Sequence, residues 1–191
     1  ANQKLSMNSA ANAVEWQTVA SSGWTFVSSV TASSSANVSF TTMAAGYDYM
    51  VTFTDLLPAT DNVDLDGFLG VAGPTYRTAN YDGHTGIINT GSGGGSSLEW
   101  SGLSAMKLTA DNQGNAADEH AVGNLTIYDP FASTDTYVIG DLAYHGTGTS
   151  HYNGIMGGKH ETAESITSIK FSYSSGNIAT GIFKLYKRAN A

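Results

Sequence analysis

Tyr76, Tyr81, His84 and Trp100 fall in or beside one glycine-rich stretch, TANYDGHTGIINTGSGGGSSLEWSG (78–102). Tyr144, His145, His151 and Tyr152 fall in another, YHGTGTSHYNGIMGGKHETAE (144–164). Flat rings with a polar edge stack on sugar rings or anchor a protein contact at modest entropic cost, which is why binding loops are rich in them. These side chains form the candidate binding set. A plainer reading has Trp100 and Tyr144 capping the core, and the sequence leaves both open.

Other constellations have less chemistry in them. The 5 histidines, His84, His120, His145, His151 and His160, show neither i, i+4 nor His-x-His spacing, so a metal site would need tertiary convergence, and a pair among His145, His151 and His160 is the nearest to one. No metal ligand is assigned. Asp118 with Glu119, and Glu161 with Glu164, offer acid and base for glycoside cleavage, but the separation that decides such chemistry is not readable from spacing. No catalytic residue and no cofactor is assigned. The glycines of 91–95 are followed by no Gly-Lys-Ser/Thr and open no helix, which argues for a loop and against a phosphate cradle. DNVDLDG (61–67) carries Asp61, Asp64 and Asp66 but lacks the spacing of a calcium-binding helix–loop–helix. It reads better as the start of a strand with Asp64 and Asp66 toward solvent. NVS at Asn37 and NLT at Asn124 match the glycosylation triplet and, with no secretory signal in view, are read as chance.

The elements that must position these residues are strands. Apolar and polar residues alternate in WTFVSSV (24–30), NVSFTT (37–42), YDYMVTF (47–53), VDLDGFLGV (63–71), AMKLTA (105–110), NLTIYD (124–129), TYVIGDLAY (136–144), SITSIKFSY (165–173) and GIFKLYK (181–187). Short alternating runs between turn residues predict an all-β sandwich or barrel. The two glycine-rich stretches and DNQGNAADEH (111–120) break the rhythm and are expected as long loops, the working face of the domain. The organisation expected is a β lead-in over 1–20 and a sandwich head over 21–191.

Composition narrows the function classes. The chain has 191 residues, 41% apolar and 13% charged, which allows one sizeable core under a surface of small polar groups. With 16 acidic against 8 basic residues the net charge is -8. Lys and Arg form no run, so neither a nucleic-acid partner nor electrostatic attraction to an anionic membrane is expected. The absence of cysteine excludes disulfides and thiolate chemistry. No apolar span approaches the length a bilayer requires, and no basic-then-apolar leader opens the chain. If the protein works outside a cell, its leader has been removed or it leaves by lysis.

The opening residues pose a physical problem. Leu5 and Met7 on one arm, and Val14 and Trp16 on the other, suggest a short hairpin with apolar side chains that it cannot bury alone, so it needs partner strands or chains. ANQKLSMNSAANAVEW (1–16) resembles the phrase that precedes the globular C-terminal tip of tailed-bacteriophage tail fibres. PATDNVDLDGFLG (58–70) and the closing SSGNIATGIFKLYKR (174–188) are similar to phrases of the same group, the last to its terminal strand. With the strand pattern between, the likeness covers most of the chain. It implies a jelly-roll-like antiparallel β-sandwich and a non-enzymatic virion protein, a homotrimeric fibre tip that contacts other virion proteins and binds a host surface glycan or outer-membrane component. It also implies that Ala1 is a boundary inside a longer polypeptide. Asp66-Gly67 departs from the basic or polar strand residues expected there and leaves that strand's length open. The rival readings are a capsid decoration or cement protein with the hairpin as a docking arm, and a glycan depolymerase or esterase, for which the chain offers no nucleophile elbow and no metal spacing.

Overall fold

Period-two alternation puts apolar side chains on one face of each strand, and those faces must be buried against another layer. In the computed structural model, which describes residues 3–7, 14–18, 23–90, 94–110 and 112–190, that layer is a second sheet. The strands are β1 (Gln3–Met7), β2 (Val14–Thr18), β3 (Thr25–Ser35), β4 (Val38–Phe40), β5 (Tyr47–Pro58), β6 (Leu65–Val71), β7 (Thr75–Tyr76) and β8 (Tyr81–Asn89). They continue as β9 (Gly95–Leu103), β10 (Met106–Lys107), β11 (Ala121–Tyr128), β12 (Thr136–His145), β13 (His151–His160), β14 (Ser168–Tyr173) and β15 (Ile178–Ala189). An 8-stranded antiparallel sheet runs β3-β15-β5-β11-β12-β13-β8-β9, and a 5-stranded sheet runs β10-β6-β14-β4 with β7 paired to β6. The expected sandwich is present, divided eight against five where a minimal jelly roll divides four against four. Among the described residues no helix is long and apolar enough to cross a membrane.

The core lies between the sheets. Phe53 of β5 and Phe183 of β15 meet Phe171 of β14 with ring centroids 5.4 to 6.5 Å apart, which ties the two sheets at the centre. Val51, Leu125, Ile127, Leu185, Leu65, Leu69 and Ile169 fill the space around them. Gln113 closes one end of the sandwich: its side-chain amide donates to the carbonyls of Leu56 and Glu119, and its oxygen accepts from the Tyr173 hydroxyl at 2.7 Å. The polar stretch 112–120 is therefore pinned at its base by a buried hydrogen-bond network.

One correction concerns the expected loops. Most of 78–102 is the β8–β9 hairpin and most of 144–160 belongs to the β12–β13 hairpin, so the glycine-rich spans are strands joined by short turns. Residues 91–93 lie outside the described set, as do 19–22, where the lead-in was expected to end. The hairpin of β1 and β2 forms as anticipated, with Leu5 opposite Trp16. Its Leu5, Met7 and Val14 are exposed, while the Trp16 side chain lies outside the described residues.

Candidate interaction face and edge cavity

The inner face of the large sheet is covered by the small sheet; its outer face is not. Along β12, Val138, Gly140, Leu142 and Tyr144 point inward, and Tyr137, Ile139, Asp141 and Ala143 point outward. Apart from Asp141, the outward residues are not the polar ones that a solvated face carries. Tyr137 and Ile139 are each 56% exposed, and Ile155 of β13 and Ile88 of β8 each 70%. The register sets Tyr128 opposite Tyr137, and puts Ile139, Ile155 and Ile88 on successive diagonals of β12, β13 and β8. Diagonal neighbours on one sheet face lie within side-chain reach, so these residues make one oblique apolar stripe across four strands. Solvated single residues need no explanation, but a contiguous stripe marks an interaction surface.

Two adjacent glycines in β13 separate what the fold needs from what it does not. A Cβ on Gly158 would sit 2.4 Å from the Trp100 ring, and one on Gly83 opposite it 2.5 Å from the same ring. These glycines make the slot in which Trp100 is buried and donates from Nε1 to Thr85 Oγ1 at 3.4 Å. Gly157 points the other way, between Ile139 and His84, and a Cβ there would meet nothing within 4 Å. Glycine weakens a strand interior and marks close approach by a ligand or another backbone. Among the described residues nothing makes that approach at Gly157.

A second feature lies at the sandwich edge, where Thr75 to Asn80 leave the small sheet and β13 ends. An open cavity of about 440 Å³ is lined there by Tyr76, Arg77, Asn80, His160, Thr162 and Glu164, among others. Arg77 grips Glu164 bidentately, Nε to Oε1 at 2.6 Å and Nη2 to Oε2. That clamp raises the guanidinium further above its ordinary range. His160 is 1% exposed, its ring tilted against that of Tyr81 with centroids 4.9 Å apart. Its Nδ1 and the Tyr76 hydroxyl oxygen are buried without a hydrogen bond to any described residue. Burial holds the His160 imidazole below the ordinary histidine range, partly opposed by the Glu164 carboxylate, whose Oε1 is 3.8 Å from Nδ1.

The candidate binding residues are not brought together. Tyr81, Trp100, Tyr144 and Tyr152 are buried core residues: Tyr81 donates toward the Leu69 and Arg77 carbonyls, and Tyr144 and Tyr152 stack at 5.0 Å. His84 is exposed on the outer face of the large sheet, and half-buried Tyr76 lines the edge cavity beneath the Lys170 ammonium. His145 and His151 meet at the opposite end of the large sheet, rings 4.1 Å apart, with buried His145 at 2.9 Å from the Gly146 carbonyl and 3.5 Å from Glu119. His160 is at the other end of β13 from His151 and does not join them.

Of the carboxylates considered for acid and base work, Asp118 is exposed and the other three are held in structural contacts. Glu119 accepts from the Ala116 amide at 2.6 Å, Glu161 pairs with Lys159, and Glu164 with Arg77. Asp66 does face away from the core, as expected, but is covered by Lys107 at 2.7 Å instead of standing in solvent, and burial raises its pKa. Among the described residues no three His, Asp or Glu side chains converge to hold a metal ion.

Sequence reasoning passed over Ile139, Ile155, Gly157 and Arg77, and weighed His160 only as a metal ligand and Glu164 only as an acid or base. For the stripe a signal was present: TYVI (136–139) is apolar in both registers, the mark of a strand covered on both faces. For the cavity none was, because Arg77, His160 and Glu164 meet only through tertiary packing. Comparison with protein-family models, with curated proteins and with solved structures found no match to this chain.

Proposed function

We propose that this chain is the receptor-binding head of a tailed-phage fibre, a non-enzymatic virion protein that works as a homotrimer and adsorbs to a host surface glycan or outer-membrane component. The observation that carries the reading is the uncovered apolar stripe on the outer face of the large sheet, with Gly157 at its centre. A lone sandwich gains nothing from such a face, whereas a subunit in a closed ring buries it against the neighbouring copy. The exposed Leu5 and Val14 of the β1–β2 hairpin make the same demand for neighbouring chains ahead of the sandwich. The phrases at 1–16, 58–70 and 174–188, similar to those of fibre tips, supply the biological setting. Adsorption of the intact chain to a panel of susceptible bacteria tests it: saturable binding to cells is expected, and a folded trimer that binds no host in the panel contradicts it.

The same exposed hairpin favours one rival, a capsid decoration protein with the hairpin as its docking arm. That reading predicts binding to assembled phage shells and no binding to cells.

A further inference from the structure

The edge cavity carries an inference beyond adsorption in general. It contains two buried polar atoms without a hydrogen-bond partner among the described residues, His160 Nδ1 and the Tyr76 oxygen, and a buried polar group left unsatisfied is costly. Such atoms are expected to be met by something that enters from solvent, and Thr75, Thr78 and Asn80 at the mouth are exposed.

The chemistry of the lining restricts what enters. Arg77 and Glu164 neutralise each other through two hydrogen bonds, so neither is free to attract a counter-ion. An anion would face Glu164, and a cation would face Arg77. Around that balanced pair stand donors and acceptors in alternation: the guanidinium, the carboxylate, the Thr162 hydroxyl and the Asn80 amide, which itself reaches Thr162 Oγ1 at 3.4 Å. Nδ1 of His160 and Oε1 of Glu164, 3.8 Å apart, are too far apart to bond directly and close enough for one group to satisfy both. A hydroxyl suits either tautomer of the imidazole, because it donates and accepts.

We propose that the cavity is a subsite for one neutral, hydroxyl-bearing sugar residue of a surface glycan, with a sugar hydroxyl between His160 Nδ1 and Glu164 and a second facing the Tyr76 hydroxyl. The glycan context rests on the adsorption reading above; the sugar's chemistry rests on the cavity alone.

The test is NMR titration of the intact chain with glucose, galactose and N-acetylglucosamine in turn, set beside galacturonate and inorganic phosphate. At least one neutral sugar is expected to shift the His160 ring, Tyr76 ring and Arg77 Nε–H resonances saturably. The affinity is expected to fall roughly tenfold, as for the loss of one hydrogen bond, in His160→Phe and in the mouth variant Thr162→Val, which leaves the buried ring in place. No response at the cavity to any of the three neutral sugars overturns the proposal, as does preferential binding of galacturonate or phosphate, or an affinity unchanged in Thr162→Val. Adsorption to cells is read separately. Cell binding with an unresponsive cavity overturns the subsite alone, and a sugar that saturates the cavity of a chain that binds no cells supports the subsite while removing the adsorption reading.

Discussion

Gly157 and Gly158 are neighbours in one strand with opposite obligations. Gly158→Ala drives a Cβ into the Trp100 ring and should cost about 1–3 kcal/mol, as overpacking does; urea unfolding with tryptophan fluorescence measures it. Gly157→Val meets open space, so the subunit should be as stable as before or gain up to about 1 kcal/mol of strand preference, while its association weakens. His160 offers a pH test at the same scale. Its folded pKa is lowered by burial, so at acidic pH the unfolded chain binds a proton that the folded chain refuses. Stability should therefore fall as pH drops through about 6.5 toward the folded value, and the fall should be shallower in His160→Gln, as read by denaturation midpoints. Side-chain chemistry was only half visible in advance: an aromatic ring among glycines reads equally as a ligand anchor or as a core residue in a slot. Trp100 took the slot, because Gly83 and Gly158 clear the space it fills.

At the scale of elements, alternation located the regular strands, and the phenylalanine junction shows why. Phe53 and Phe171 lie in runs with clear two-residue periodicity, Phe183 in a run, GIFKLYK, whose register is ambiguous, and all three point inward. Phe171→Ala should cost about 3–5 kcal/mol, since it empties the contact between the two sheets; equilibrium denaturation checks this. The β8–β9 hairpin and β13 escaped the same reading, whereas β12 did not. Glycine lacks strand propensity, so GHTGIIN and YNGIMGG scan as loops although ladder pairing holds them as strands. Their glycines answer to Trp100 on one side of the sheet and to the bare outer face on the other, and neither demand is written in local sequence.

For the whole molecule, the net charge of -8 leaves the surface soluble without a large positive field, and the apolar stripe is its least water-compatible region. Ile139 and Ile155 are exposed in the single subunit, so Ile139→Glu with Ile155→Glu should change subunit stability by no more than about 0.5 kcal/mol each. In an assembly in which the stripe is buried, the same charges are left without partners and association fails. The all-β class and the antiparallel sandwich were legible from sequence, as was the opening hairpin. The stripe was not singled out, because strands with both registers apolar were read for one buried face only. The edge cavity stayed hidden for a different reason: residues 77, 160 and 164 come together only when β13 ends beside the segment that follows β7.

The most direct measurement is the mass of the intact chain in solution by light scattering, beside the Ile139→Glu/Ile155→Glu variant, with circular dichroism to show that both are folded. The account predicts a trimer for the unaltered chain and a folded monomer for the variant. A folded monomer for both, or a trimer that survives the two charges, would contradict the assignment of the outer face as the surface that joins the subunits.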